Sequence, residues 1–181
     1  MNTNWKNYVK HFEYTEKNIS EGKYDAWDLI QPFWYNVSIY DGLEAYNNDL
    51  SGLTTAQRRF LALLWYDAEV CNGGHDQFFS NSTGIVWKDA LEGMRMIGDD
   101  TDADNFQKAI DLFGGSIPFD RDERNKVLDT ISERSDFDDF EEIDSSYFAG
   151  DGFDKLMKEY ILKHPSEFVV NGDYQYSEMI L

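Results

Sequence analysis

The stretch CNGGHDQFFSNSTG, residues 71–84, gathers more reactive side-chain types than any other stretch of the chain. Cys71 and His75 stand four residues apart, the spacing of a thiolate–imidazole pair if one unbroken helix carried both. Gly73 and Gly74 lie between them and should break the helix, so the spacing does not imply proximity. A cysteine near an apolar helix end is more often a small core residue than a nucleophile. Zinc finds one cysteine and three scattered histidines, His11, His75 and His164, without the paired spacings a tetrahedral site requires. The run DDTDADN, residues 99–105, places Asp100, Asp102 and Asp104 at positions 1, 3 and 5 of a calcium loop, with Asp111 at position 12. Asn105 then occupies the position that needs glycine, and an aspartate replaces the usual bidentate glutamate. Acids at the start of a helix are favoured by its dipole without any ion. No phosphate-binding glycine loop, dinucleotide fingerprint, GxSxG or HExxH occurs. These residues therefore predict a protein that is not an enzyme, with no metal and no cofactor.

The elements that would position this stretch read as helices. Thr54 and Gln57 form a capping box ahead of AQRRFLALLWYDAEVC, which is apolar around most of its circumference, as a central buried helix at about 55–71 would be. Gly73-Gly74 should end it in a left-handed stop. Phe78 and Phe79 should plug the core, Asn81 to Gly84 should cap the next helix, and Gln77 and Asn81 should bond backbone groups in that turn. Further helices are predicted at about 84–97, ending at Gly98, and at about 103–113, ending at Gly114-Gly115. Another starts at Asp120 with Glu123, and two more span 136–148 and 152–163. Upstream, 5–18 reads as an amphipathic helix bearing Trp5, Tyr8, Val9 and Phe12. Pro32 should start or kink a helix within 25–46. The tail beyond Pro165 stays open, and no run alternates as a strand should. The fold class is all-α, in a single domain of 1–181.

Charge is the outlying property: 35 acids against 16 bases give a formal net of −19. Disordered chains are poor in aromatics, and here aromatics make up 16%, so a folded acidic globule is expected. Such a surface repels nucleic acid and anionic membranes and attracts basic partners. The longest apolar run, Phe60–Tyr66, is too short to span a bilayer. One cysteine and no secretory pattern point to the cytoplasm. The excess is uneven: residues 1–98 carry a net of −5, residues 99–159 a net of −12. SDFDDFEEID, residues 135–144, holds six acids and no base. Read as a helix it turns Phe137, Phe140, Ile143 and Tyr147 inward, and like charges at the resulting spacing repel by a few tenths of a kcal/mol per pair. Solubility does not require such clustering, and a basic partner would relieve it. DNA presents about one negative charge per 1.7 Å of duplex, which rigid rows of carboxylates could imitate.

EVCNGGHDQFFSNSTG resembles the motif of a bacterial family of DNA-mimic proteins, in which a Glu, a Gly-Gly pair, Gln-Phe-Phe or Gln-Tyr-Phe, and Asn-Ser-x-Gly recur. The match runs through Glu69, Gly73, Gly74, Gln77, Phe78, Phe79, Asn81, Ser82 and Gly84. ALEGMRMIG, KAIDLFGG and the connection through Pro118, Asp120 and Arg124 are similar too, so the resemblance covers about residues 50–130. It implies an all-α fold, no cofactor, no catalytic residue and often a dimer. It also implies an acidic surface that sequesters a helix-turn-helix transcription regulator. The acids expected to stand in for phosphates are Asp99, Asp100, Asp102, Asp104, Asp136, Asp138, Asp139, Glu141, Glu142, Asp144, Asp151 and Asp154. The alternative is an acidic immunity-type inhibitor of a basic toxin or nuclease, which should expose aromatic anchors among Trp34, Tyr35, Tyr40 and Tyr46. A hydrolase would need Cys71 and His75 in one pocket. Without it, Cys71→Ala and His75→Ala should both leave partner binding intact.

Overall fold

The computed structural model describes residues 4–134 and 140–180. The fold is all-α apart from one two-stranded antiparallel ribbon. In chain order the described elements are β1 (Asn4–Tyr14), α1 (Glu16–Ser20), α2 (Ala26–Trp34), α3 (Gly42–Asp49), α4 (Thr55–Ser80), α5 (Trp87–Ile97), α6 (Asp100–Leu112), α7 (Arg121–Arg134), α8 (Glu141–Phe148), α9 (Asp154–Lys163) and β2 (Val170–Ile180). Short 3-10 turns precede α4, α5 and β2.

The predicted central helix is α4. Thr54 Oγ1 accepts from Gln57 N at 3.1 Å and Gln57 Oε1 from Thr54 N at 2.9 Å, closing the capping box. Phe60, Leu61, Ala62, Leu63, Tyr66 and Val70 of α4 are buried, and α2, α5, α7 and α8 all pack on this helix. Its apolar residues leave little face for water, so the other helices can surround it. The stop after α5 also matches: Gly98 takes φ 83°, and Asp99 N reaches back to Met94 O at 2.9 Å.

Residues 5–18 are not one helix. Asn4–Tyr14 form β1, paired residue for residue with β2 from Asn4 opposite Ile180 to Tyr14 opposite Val170. Phe12 and Tyr14 are buried and Tyr8 and Lys10 half-buried, whereas Val9, His11 and Glu13 face water, the alternation of a strand with one covered face. Lys10 tolerates its inward position because its ammonium lies 4.6 Å from the Phe12 ring centre and 4.3 Å from that of Tyr176. The tail beyond Pro165 resolves into β2, which docks on α2 through Phe33 against Tyr174. The amide of Asn36 pairs with the backbone of Gln175, at 2.9 and 3.1 Å, as a further strand residue would.

Pro32 neither starts nor ends a helix; α2 runs through it. A proline lacks the N–H that would bond the carbonyl four residues back. That carbonyl, Asp28 O, accepts instead from the Tyr14 hydroxyl at 2.8 Å. Among the described residues, no helix is long and apolar enough to cross a membrane.

Candidate functional site

The motif stretch kinks α4 instead of ending it. Gly73 and Gly74 leave helical geometry, Gly74 with φ 72°, and the helix resumes from His75 to Ser80. A Cβ on Gly74, at positive φ, would run into the Asp144 carboxylate, and one on Gly73 would push the Gln77 side chain out of its place. Cys71 and His75 have different partners. Cys71 is exposed and its thiol reaches Asp67 Oδ1 at 3.5 Å; burial and the Asp67 charge push its pKa up, away from a reactive thiolate. His75 is fully buried, with Nε2 2.6 Å from the Tyr66 hydroxyl and Nδ1 against Asp144 Oδ1, which also accepts from His75 N at 3.0 Å. The arrangement that satisfies every atom has Nδ1–H donating to Asp144 and the Tyr66 hydroxyl donating to Nε2. Tyr66 is packed against Phe78, Phe106 and Tyr147, and burial raises its pKa strongly. This Asp–His–Tyr row, with His75 and Tyr66 enclosed by aromatic rings and Asp144 partly exposed, ties α8 to the kink of α4.

Glu69 organises the rest of the motif. Its Oε1 accepts from Gln77 Nε2 at 2.7 Å and from Asn81 Nδ2 at 2.6 Å, and its Oε2 from Thr83 Oγ1 at 2.9 Å. Gln77 and Asn81 thus bond a carboxylate, not the backbone groups the sequence suggested. Nor does the segment from Asn81 to Gly84 cap α5: Asn81 closes α4, Ser82 to Gly84 enter a 3-10 turn, and Val86 precedes α5. Phe78 and Phe79 are buried completely, as expected. Gly84 makes room for Arg124, whose Nε a Cβ there would meet at 2.5 Å. Arg124 is itself buried and donates to Phe79 O, Asn81 O, Pro118 O and Phe119 O, at 2.5 to 3.1 Å. Loss of solvent lowers its pKa to about 10.

The twelve predicted phosphate mimics divide sharply. Glu141, Glu142, Asp151 and Asp154 are exposed. Asp100 and Asp104 are exposed but already bound by Arg95, at 3.2 and 2.6 Å. Asp99 caps α6 by accepting from Asp102 N at 3.1 Å. Asp102 is withdrawn from such a surface, and Asp144 is only partly exposed to it. Asp144 is committed to His75, and Asp102 lies buried beneath the start of α6. Helical phase accounts for Asp102: with Asp99 at the N-cap, the residue three on turns inward beside Ala103 and Phe106. Asp136, Asp138 and Asp139 lie outside the described residues. Asp111, Asp122, Glu123, Asp129 and Glu133, which the sequence did not mark as phosphate mimics, are also exposed on α6 and α7. Among the described residues, no group of three or more His, Cys, Asp or Glu side chains could hold a metal ion.

Burial, with the neighbouring Asp99, raises the pKa of Asp102 to about 6. A carboxyl raised in the folded state favours folding while it is protonated, and that advantage is lost as pH rises from about 4 through 6. Asp102→Asn should therefore stabilise the protein at pH 7.5, on the order of 1–2 kcal/mol, with the gap closing by pH 4. Thermal melts of both proteins across that range check it; a gap independent of pH would refute it.

An aromatic cleft of about 770 Å³ opens beside the motif, between the end of α2, the segment 35–40 and α4. Trp34, Trp65, Tyr35 and Tyr40 line it, and so do Glu69 and Thr83 of the motif cluster. Of the four aromatics considered as anchors, Tyr40 is 79% and Tyr35 40% exposed. Trp34 is half-buried against Trp27 and Trp65, and Tyr46 is buried with its hydroxyl on Asp89 at 2.8 Å.

No curated protein and no solved structure matches the chain. A family model described as DMP19-like protein matches residues 51–164, more than half of the chain. That span begins just ahead of α4 and ends just after α9, so it contains the kink, the Glu69 cluster, Arg124 and the exposed acids of α6 to α9. With the motif, its geometry and this match in agreement, the chain belongs to the DMP19-like protein family.

Proposed function

We propose that this protein is a non-catalytic DNA mimic, an acidic body that occupies the DNA-binding surface of a basic protein of the helix-turn-helix transcription-regulator class. The observation that carries this reading is the set of exposed carboxylates on and between rigid helices, Glu141, Glu142, Asp151 and Asp154, within a chain of net charge −19. Fixed carboxylates resemble phosphates in charge and in accepting bidentate bonds from arginine. Membership of the DMP19-like family supports the same reading. Asp111, Asp122, Glu123, Asp129 and Glu133 extend the field over α6 and α7.

The test is competition. A helix-turn-helix regulator from the same cell, bound to its labelled operator, should be released by this protein. The affinity of the two proteins should fall at least tenfold between about 50 and 200 mM salt, since the contacts are ionic. Reversing Glu141, Glu142, Asp151 and Asp154 to lysine should abolish release without changing helicity. Asp144 is left out of that set because reversal there would break its bond to His75. An affinity indifferent to salt would end the proposal.

Exposed Tyr35 and Tyr40 favour a second reading, an inhibitor of a basic toxin or nuclease, in which aromatic anchors supply the affinity. In that case Tyr40→Ala would cost more binding than the four charge reversals together.

A further inference from the structure

The Glu69 cluster gives the motif a role beyond shaping a turn. A carboxylate has room for about four accepted hydrogen bonds. Gln77, Asn81 and Thr83 fill three, two on Oε1 and one on Oε2, which leaves one acceptor position on Oε2. These donors come from the resumed stretch of α4 and the turn after it, so a charge carried ahead of the kink is held in place by groups beyond it. Glu69 lines the aromatic cleft together with Trp34, Trp65 and Tyr40, and Asp49 supplies a second carboxylate there. Among the described residues, no lysine or arginine lines this cleft. Arg121 borders the smaller adjoining hollow and donates to Ser80 O at 2.8 Å. A fixed anion at the wall of an aromatic cleft suits a cation on an apolar stem: the stem covers ring carbon and the charge meets both the ring faces and the carboxylate.

We propose, resting on the reading that the partner is a basic protein but not on what that partner does, that the cleft receives an arginine side chain of the partner. Arginine is preferred over lysine because its planar guanidinium stacks on indole and pairs with carboxylates along a flat edge. A protein segment is preferred over a free small cation because the cleft is rimmed by Tyr35 and Tyr40, large side chains standing in water as interface anchors do. The kink and its glycines then serve recognition directly: they bring the donors of the resumed helix back onto Glu69 and fix the charge that reads the arginine.

Three blocked pentapeptides, identical except for arginine, lysine or citrulline at the centre, test this with the full chain. Citrulline keeps the stem and the flat head and lacks the charge. Nuclear magnetic resonance of the tryptophan indole N–H groups reports the site. The arginine peptide should shift the signals of Trp34 and Trp65 and bind at least about fivefold more tightly than the citrulline peptide, with lysine between them. Tyr40→Ala, at an exposed side chain, should weaken the arginine peptide about fivefold while melting like the parent. Glu69→Gln should weaken it further, and its own melting curve separates lost binding from lost folding. The lysine reversals at Glu141, Glu142, Asp151 and Asp154 should still bind the peptide in the cleft, so failure of DNA mimicry and failure of this site give different results. Equal binding of arginine and citrulline peptides overturns the proposal, as does binding that leaves both indoles unmoved. Tighter binding of spermidine at the same signals also overturns it, in favour of a free polyamine.

Discussion

Arg124→Met is expected to lower stability by about 3–5 kcal/mol, the range for breaking a buried polar network. The guanidinium holds four backbone carbonyls from two separate segments: Phe79 and Asn81 at the end of α4, Pro118 and Phe119 ahead of α7. Asn81 O also accepts from Gly84 N at 3.2 Å, and for the other three, at a helix end and in a connection, the bonding comes from this side chain. Methionine fills comparable volume but donates nothing, and it leaves the carbonyls of Phe79, Pro118 and Phe119 without the guanidinium. The cost should appear as a melting point roughly 10 °C lower, since a chain of this size shifts by about 2–4 °C per kcal/mol. Arg124→Lys should not restore it, because one ammonium cannot span a planar set of four acceptors. A loss below about 1 kcal/mol would mean that water replaces the guanidinium at little cost.

His75→Ala should cost about 3–4 kcal/mol, from the cavity left among the rings and from the bonds lost by Tyr66 and Asp144. Cys71→Ala, at an exposed thiol outside that cluster, should stay within about 0.5 kcal/mol. Chemical denaturation of the two variants side by side gives the comparison; equal costs would show that His75 contributes no buried network. Asp144 belongs to α8, which also carries Glu141 and Glu142, so His75→Ala loosens the helix that presents some of the proposed binding face. The sequence alone suggests that both alanine variants leave partner binding untouched. The geometry restricts that expectation to Cys71.

Some local signals in the sequence held, although the Gly73-Gly74 stop and the Asn81–Gly84 cap did not. The Thr54–Gln57 box and the Gly98 stop involve neighbours in the chain, and both form as expected. The strands were illegible because Lys10 interrupts the apolar face of β1 and Gly172 that of β2, and the partners lie at opposite ends of the chain. Composition conveyed the acidity, but not which acids turn inward. Asp102 is withdrawn by helical phase, and Asp144 is held by a partner 69 residues away. The Glu69 cluster was hidden by its own kink: Gln77, Asn81 and Thr83 stand 8, 12 and 14 residues on, spacings that a straight helix would not bring back to one carboxylate. The motif itself was visible as a run of residues, and its job as a clamp on a single charge was not.

The ribbon of β1 and β2 decides how the molecule responds to force. Asn4 and Ile180 are paired, so tension applied at these two positions acts across the ladder at one end and not along it. Hydrogen bonds loaded in that way break in succession, like teeth of a zip, and never share the load. The peeling would reach the Asn36 bonds to Gln175 and the packing of Tyr174 on Phe33 partway along the ribbon, before it reaches Tyr14, whose hydroxyl occupies the carbonyl left free by Pro32. A translocating motor gripping both segments would therefore open the free end of the ribbon at low force and meet its first mechanical resistance where β2 docks on α2.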